Sequence, residues 1–346
     1  MKSVIYYEPG KVEVEERETP VAGAGEVVVK IACAGICGTD VTAYRFGGAP
    51  VGIFAPGEMH SDGQFGHEMV GTVCEIGEGV EGVAIGDRVF VNPMCCKKMG
   101  MLRCDSAGAF SEYVTVEDAA YDYNLLKLDD SMSFADSVLI EPLSVGTHGK
   151  NVVNTQPDDN VVVYGAGTIG LCVLSALLNM GVKNPVVVDY AAPRLEYVKE
   201  MGGVPFNPST DGDFAEFLKG HFGKVVSPFM EENVDVDVFI DCAGAQSITS
   251  EIIPMAKQGT RISIVAVHKQ NANFHMGKMS EREIMIKGSL GYQIPDIQEA
   301  LNNIKNERTK IRMIATHHFP QAQAKEAFAT ASDPSTGAIK VIIDME

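Results

Sequence analysis

Val161-Val162-Val163-Tyr164-Gly165-Ala166-Gly167-Thr168-Ile169-Gly170 is a β-branched run that breaks into three closely spaced glycines. An apolar helical pattern follows over 168–180, and then a second β-type run closed by Asp189. Buried strand, glycine turn, helix and second strand, in that order, make a unit that binds a dinucleotide. Gly165 permits the tight turn. Gly167 lets the backbone N–H groups around Thr168 and Ile169 approach a pyrophosphate, and Gly170 lets helix and strand pack closely. Asp189 is placed to accept a hydrogen bond from the ribose 2′-hydroxyl and to repel a 2′-phosphate, which favours NAD over NADP. Arg194 stands either along the adenosine edge or on a solvated helix face.

Working outward, strand and helix patterns alternate from about residue 150 to about 290, with further β-type runs at 185–189, 237–241 and 261–265. Such alternation implies a doubly wound parallel sheet covered on both faces, a Rossmann domain over 150–290. Before it the texture is all-β, with short runs at 26–31, 69–75, 87–91 and 110–116 between glycine-rich turns. After it come helical segments at 295–306 and 322–331 and a β-type ending at 338–343. Residues 1–149 and 291–346 are therefore expected to form one β-rich domain interrupted by the other.

Composition narrows the partners. With 28 Lys+Arg against 46 Asp+Glu, the 346-residue chain carries a net charge of −18, and no basic run offsets it. A nucleic acid or an anionic membrane would be repelled, which leaves a small molecule. The uncharged stretch 161–182 is long enough to cross a bilayer, for which ~20 residues suffice. Its three early glycines and its division into strand and helix read instead as soluble core. Glu8 and Pro9 interrupt the amino terminus before an apolar signal segment forms, so a cytoplasmic protein is expected. Eight cysteines are too sparse for a disulfide scaffold and are judged by their neighbours.

Two neighbourhoods combine thiolate, imidazole and carboxylate: Gly35-Ile36-Cys37-Gly38-Thr39-Asp40 and Gly66-His67-Glu68-Met69-Val70-Gly71. Ile140-Glu141-Pro142-Leu143 adds a further carboxylate at the domain junction. A catalytic zinc takes three protein ligands and leaves one position open, and Cys37, His67 and Glu68 are all accepted donors. Singly, Cys37 reads as a small buried hydrophobe and His67 as a core histidine. Together they read as a metal site.

These segments, with Gly86-Asp87-Arg88-Val89, Glu141-Pro142-Leu143-Ser144-Val145 and the 165–170 glycine turn, resemble the zinc-dependent medium-chain alcohol and polyol dehydrogenases, most closely their sorbitol dehydrogenase branch. The resemblance runs nearly end to end. It implies a GroES-like catalytic domain that begins and ends the chain around the Rossmann domain, with the active-site cleft between them. It implies direct zinc ligation by Cys37 and His67, with Glu68 a ligand or exchanging with water and Glu141 beside the metal. Asp40 would orient His67, and Thr39 would take the proton of the alcohol. Val265 and Val267 would offer backbone groups to the nicotinamide carboxamide, and Lys340 would reach the pyrophosphate.

The chain departs from the family in two places. Thr42 stands where relatives carry a histidine in the proton relay. Cys95, Cys96 and Cys104 are three where relatives have the four cysteines of a structural zinc lobe, so one catalytic zinc is expected and a structural zinc is not. The glycine-rich segment 46–64 is long and is expected to border the substrate pocket, with His60, Glu58 and Asp62 read as solvated loop residues.

The expected activity is oxidation of a secondary alcohol, such as a polyol, sugar alcohol or vicinal diol, with hydride passing to NAD. Alternatives are a dehydrogenase of a hydroxy amino acid or sugar phosphate on the same scaffold, a zinc-free reductase, and a non-catalytic NAD-binding protein. Relatives with this architecture are homodimers or homotetramers, and residues 284–291 are the expected meeting face.

Overall fold

The computed structural model describes the chain except residues 48–62, 98, 101–102, 105–106, 228–229, 307 and 346. It divides into two compact units, Met1–Pro142 with Ile314–Glu346, and Leu143–Met313.

In the first unit, strand Val27–Gly35 is the hub of a seven-stranded sheet. It pairs antiparallel with Glu68–Ile76, with Tyr113–Val116 and with the carboxy-terminal Lys340–Asp344. Arg88–Val91 and Leu125–Lys127 extend the sheet on one side, and Ala315–Pro320 runs parallel to Lys340–Asp344 on the other. The last strand of the chain therefore lies beside one of the first. Val27, Val29 and Ile31 alternate inward onto an apolar core that includes Met69 and Ile343. Phe65, Phe110 and Phe328 close that core, with ring centroids 4.9 to 5.4 Å apart. Register brings Gly35 opposite Glu68 and opposite Ile342, so three strands converge at one sheet end.

The second unit holds six parallel strands in the order Val204–Phe206, Val186–Val188, Val161–Tyr164, Val238–Asp241, Arg261–Ile264, Met285–Gly288. Strand order reverses beside Val161–Tyr164, the position at which open parallel sheets bind ligands. Val161, Val162 and Val163 are wholly buried, as a strand covered on both faces requires. The uncharged stretch resolves into this strand and the 13-residue helix Thr168–Met180. No helix among the described residues is long and apolar enough to cross a membrane.

The later boundary between units differs from the one read from sequence texture. Helix Ile294–Asn306 belongs to the second unit, where it packs on helices Ile140–Asn151 and Thr168–Met180. Its Asp296 accepts from Asn151 and meets His148 Nδ1 at 2.7 Å, while Glu299 pairs with the buried Lys150. Those long-range polar contacts leave no trace in local composition, which is why the texture put the change near 290.

Asp87, in the Gly86-Asp87-Arg88-Val89 turn, collects the Lys127 ammonium at 2.5 Å, the Ala84 N–H at 2.8 Å and the Tyr121 hydroxyl. The Lys127 and Tyr121 hydrogen bonds hold its carboxyl down at about 2. A carboxyl with a depressed folded pKa stabilises above its unfolded value, and that contribution disappears as pH falls through the folded value. Asp87→Asn should therefore cost on the order of 1–2 kcal/mol at neutral pH in urea unfolding, with the difference from the parent protein vanishing towards pH ~2. A difference that stays constant with pH would contradict this assignment.

Candidate active site

Helix Gly38–Phe46 begins one residue after Cys37, which occupies its N-cap position. Asp40 reaches back from the first turn, and its Oδ2 accepts the Cys37 backbone N–H at 2.9 Å. A carboxylate in the first turn also suits the helix dipole. Its other oxygen lies 3.9 Å from His67 Nδ1. His67 stands one residue before strand Glu68–Ile76 and Glu68 opens it, so the Glu68 carboxylate is carried on hydrogen-bonded sheet backbone.

The ligand atoms of Cys37, His67 and Glu68 all lie within 4.8 Å of one another. Relative exposures are 2% for His67, 1% for Glu68, 1% for Glu141 and 4% for Asp40. Buried polar atoms are normally satisfied. Here His67 Nε2, Thr39 Oγ1 and Glu141 Oε1 are buried without a hydrogen-bond partner. Unpartnered donor atoms, converging with a thiol, are what a tetrahedral metal would satisfy.

Electrostatics carries the same signature. Burial pushes the Cys37 thiol up to about 12, and the charges of Glu68 and Asp40 add to the shift. Burial, then the charge of Glu68, lifts the Glu141 carboxyl to about 8. Burial also raises Asp40, although His67 and the Cys37 N–H pull it back. Groups that resist ionisation in each other's company ionise readily once a divalent cation is among them.

Lys340 differs from its expected role. Its ammonium, 2% exposed, is not held out towards a pyrophosphate but is spent within the first unit. It donates to the Ile36 carbonyl at 2.9 Å and to Glu68 Oε1 at 2.5 Å. Burial lowers its pKa, but Glu68 and Cys37 more than offset that and raise it overall. The partner is invisible in the sequence because a strand pairing across the whole chain brings it there.

In the second unit Gly165 has φ +96°, a conformation that L side chains rarely adopt, and a Cβ on Gly170 would fall 1.7 Å from the Gly165 carbonyl oxygen. Thr168 and Ile169 open helix Thr168–Met180, with Gly167 as its N-cap. The carboxylate of Asp189 accepts from the Ala166 N–H at 2.7 Å and the Ala191 N–H at 2.8 Å, tying the end of the second strand to the glycine turn. Arg194 Nη1 lies 4.0 Å from Asp189. Val265 and Val267 fall just past strand Arg261–Ile264 rather than in it. Sequence reading missed their anchor: the buried carboxylate of Asp241 accepts from the Ala243 and Gly244 N–H groups and meets His268 Nε2 at 2.7 Å. An Asp ending one strand and a His just beyond the next were the available signal.

His60, Glu58, Asp62 and Asp105 lie outside the described residues, as does most of the 46–64 segment. Cys96 Sγ donates to the Asn92 carbonyl, and Cys95 Sγ accepts from the Asn92 side chain. The Cys104 side chain is outside the described residues.

Comparison with known proteins matches residues 23–129 to the alcohol dehydrogenase GroES-like domain and 168–306 to the zinc-binding dehydrogenase domain. The chain belongs to the zinc-dependent medium-chain dehydrogenases. (R,R)-butanediol dehydrogenase of Bacillus subtilis is 28% identical over 323 residues, covering 89% of this chain and 88% of that protein. The crystal structure of 2R,3R-butanediol dehydrogenase from that organism matches with a TM-score of 0.85 at 24% identity, covering 99% of each chain. Mouse sorbitol dehydrogenase is 29% identical over 346 residues, covering 95% of this chain and 92% of its own. The RspB alcohol dehydrogenase of Escherichia coli, solved with NADH, matches at TM-score 0.82 and 26% identity over 99% of both chains. The dehydrogenase is thus an enzyme of alcohol oxidation that uses a catalytic zinc and a nicotinamide cofactor.

Replacing Asp189 by Gly removes the only acid read as facing the ribose, so the ratio of kcat/KM for NAD to that for NADP should fall by roughly tenfold or more. An unchanged ratio in steady-state assays with both cofactors would discredit this role.

Proposed function

We propose that this dehydrogenase oxidises a secondary alcohol of a polyol, sugar alcohol or vicinal diol with NAD as hydride acceptor, using one zinc held by Cys37, His67 and Glu68. The observation that carries this reading is the trio of ligand atoms within 4.8 Å of one another, with His67 and Glu68 buried and His67 Nε2 left unpartnered. Sorbitol and butanediol dehydrogenases among the relatives support a substrate with adjacent hydroxyls. Asp189 supports NAD over its phosphorylated form.

When bound, zinc supplies Lewis acidity that brings a hydroxyl's pKa towards neutrality, and the nicotinamide supplies the hydride acceptor. The chain does the rest. Cys37 and His67 would hold the ion, and Asp40 positions both by accepting from the Cys37 backbone and facing His67 Nδ1. Thr39, whose Oγ1 is buried without a partner, is free to accept the substrate hydroxyl proton and pass it on. Glu141 stands by as a second carboxylate, its pKa raised by burial and by the charge of Glu68. The glycine turn at 165–170 presents backbone N–H groups to the pyrophosphate, and the backbone at Val265 and Val267 receives the carboxamide.

The described cysteines are all free, which supports a reducing, cytoplasmic setting. Among the described residues strand Met285–Gly288 pairs on one side only, and we assign the meeting of copies in a dimer or tetramer to that edge.

The decisive test is Cys37→Ser. Bound zinc should fall to near zero by elemental analysis, and NAD reduction with sorbitol, xylitol or 2,3-butanediol should drop by ~10³-fold or more, while NADH titration by fluorescence gives a Kd within about twofold of the parent. Undiminished turnover with any of these alcohols would remove the metal from the mechanism.

A further inference from the structure

Glu68 serves two masters. Its carboxylate is one of the three groups that converge as metal donors, and the same carboxylate receives the Lys340 ammonium, with side-chain exposures of 1% and 2%. The pairing is built into the sheet. Gly35 lies opposite Glu68 in one register and opposite Ile342, two residues from Lys340, in the other. A Cβ on Gly35 would fall 2.2 Å from Glu68 Oε2 and 2.9 Å from Lys340 Cε. The missing side chain is therefore the space that the ion pair occupies. The Ile36 carbonyl accepts a second ammonium proton at 2.9 Å and fixes the Lys340 head.

A buried carboxylate between an ammonium and a divalent ion has its charge divided between them. Removing the ammonium gives the whole anion to the metal and also removes a like charge from the metal's surroundings, so both effects act in one direction. We propose that Lys340 is a positioning residue that competes with the metal for Glu68, and that the Gly35–Glu68–Lys340 cradle weakens metal retention so that Glu68 stays displaceable. Lys340 touches neither substrate nor cofactor in this role. The proposal rests on the reading of Cys37, His67 and Glu68 as the metal site.

The test is zinc release from the purified holoenzyme to a chromogenic chelator, timed by absorbance. Lys340→Met, which keeps an unbranched side chain without the charge, and the uncharged, polar Lys340→Gln should release zinc about tenfold more slowly than the parent, the scale on which residues behind metal ligands act. Lys340→Arg should stay close to the parent. In a Glu68→Gln background the Lys340 effect should shrink to the smaller share that like-charge repulsion alone supplies, because the shared contact is gone. That double variant also avoids leaving an unpaired buried charge, and thermal melts identify any variant that is not folded. Unchanged or faster release in both uncharged variants, or an effect undiminished without the Glu68 carboxylate, overturns the proposal. A parent protein that holds no zinc sinks the metal reading itself, which the Cys37→Ser comparison distinguishes.

Discussion

Asp40, Glu68 and Glu141 are buried together beside the Cys37 thiol, and the cation set against them is the ammonium of Lys340. Carboxylates in a low-dielectric interior repel one another and lose hydration, so they either take up protons or recruit positive charge. The raised pKa values of Cys37, Asp40 and Glu141 reflect that cost. A divalent cation would supply the positive charge. The first unit is organised around this electrostatic deficit: the hub strand ends at it, two partner strands bring Glu68 and Lys340 to it, and a helix starts beside it with Cys37 at its cap.

In the function proposed above, the second unit faces the opposite problem, the accommodation of an anionic pyrophosphate by a chain of net charge −18. It would meet it with backbone rather than with lysines. Gly165 and Gly170 remove the side chains that would fill the turn, and helix Thr168–Met180 starts directly out of it with Gly167 at its cap. Two aspartates brace the loops at the strand ends, Asp189 through Ala166 and Ala191, and Asp241 through Ala243, Gly244 and His268.

How much was legible beforehand follows the range of the interactions. The strand Val161–Tyr164 and the helix Thr168–Met180 were readable to the residue, because glycine spacing, β-branching and absence of charge are all local. Helix Gly38–Phe46 was not read: Gly-Thr-Asp-Val-Thr-Ala-Tyr-Arg-Phe has no strong apolar stripe, and the helix is held by its Asp40 cap and by Tyr44 against Phe328. The metal trio was legible as residue types, but its convergence depends on sheet register, which no spacing in the sequence expresses. Lys340 is the clearest case. The family resemblance directed it at the cofactor pyrophosphate, whereas in the structure its ammonium meets Glu68, 272 residues away.

Replacing zinc by cobalt tests the central claim most directly, because cobalt reports its own ligands by absorption. A site made by Cys37, His67 and Glu68 should give one equivalent of bound cobalt, a thiolate-to-metal charge-transfer band in the near ultraviolet, and the intense visible bands of a four-coordinate ion. Weak visible absorption from a six-coordinate ion, with no thiolate band, would show that sulfur, imidazole and carboxylate do not meet on one metal.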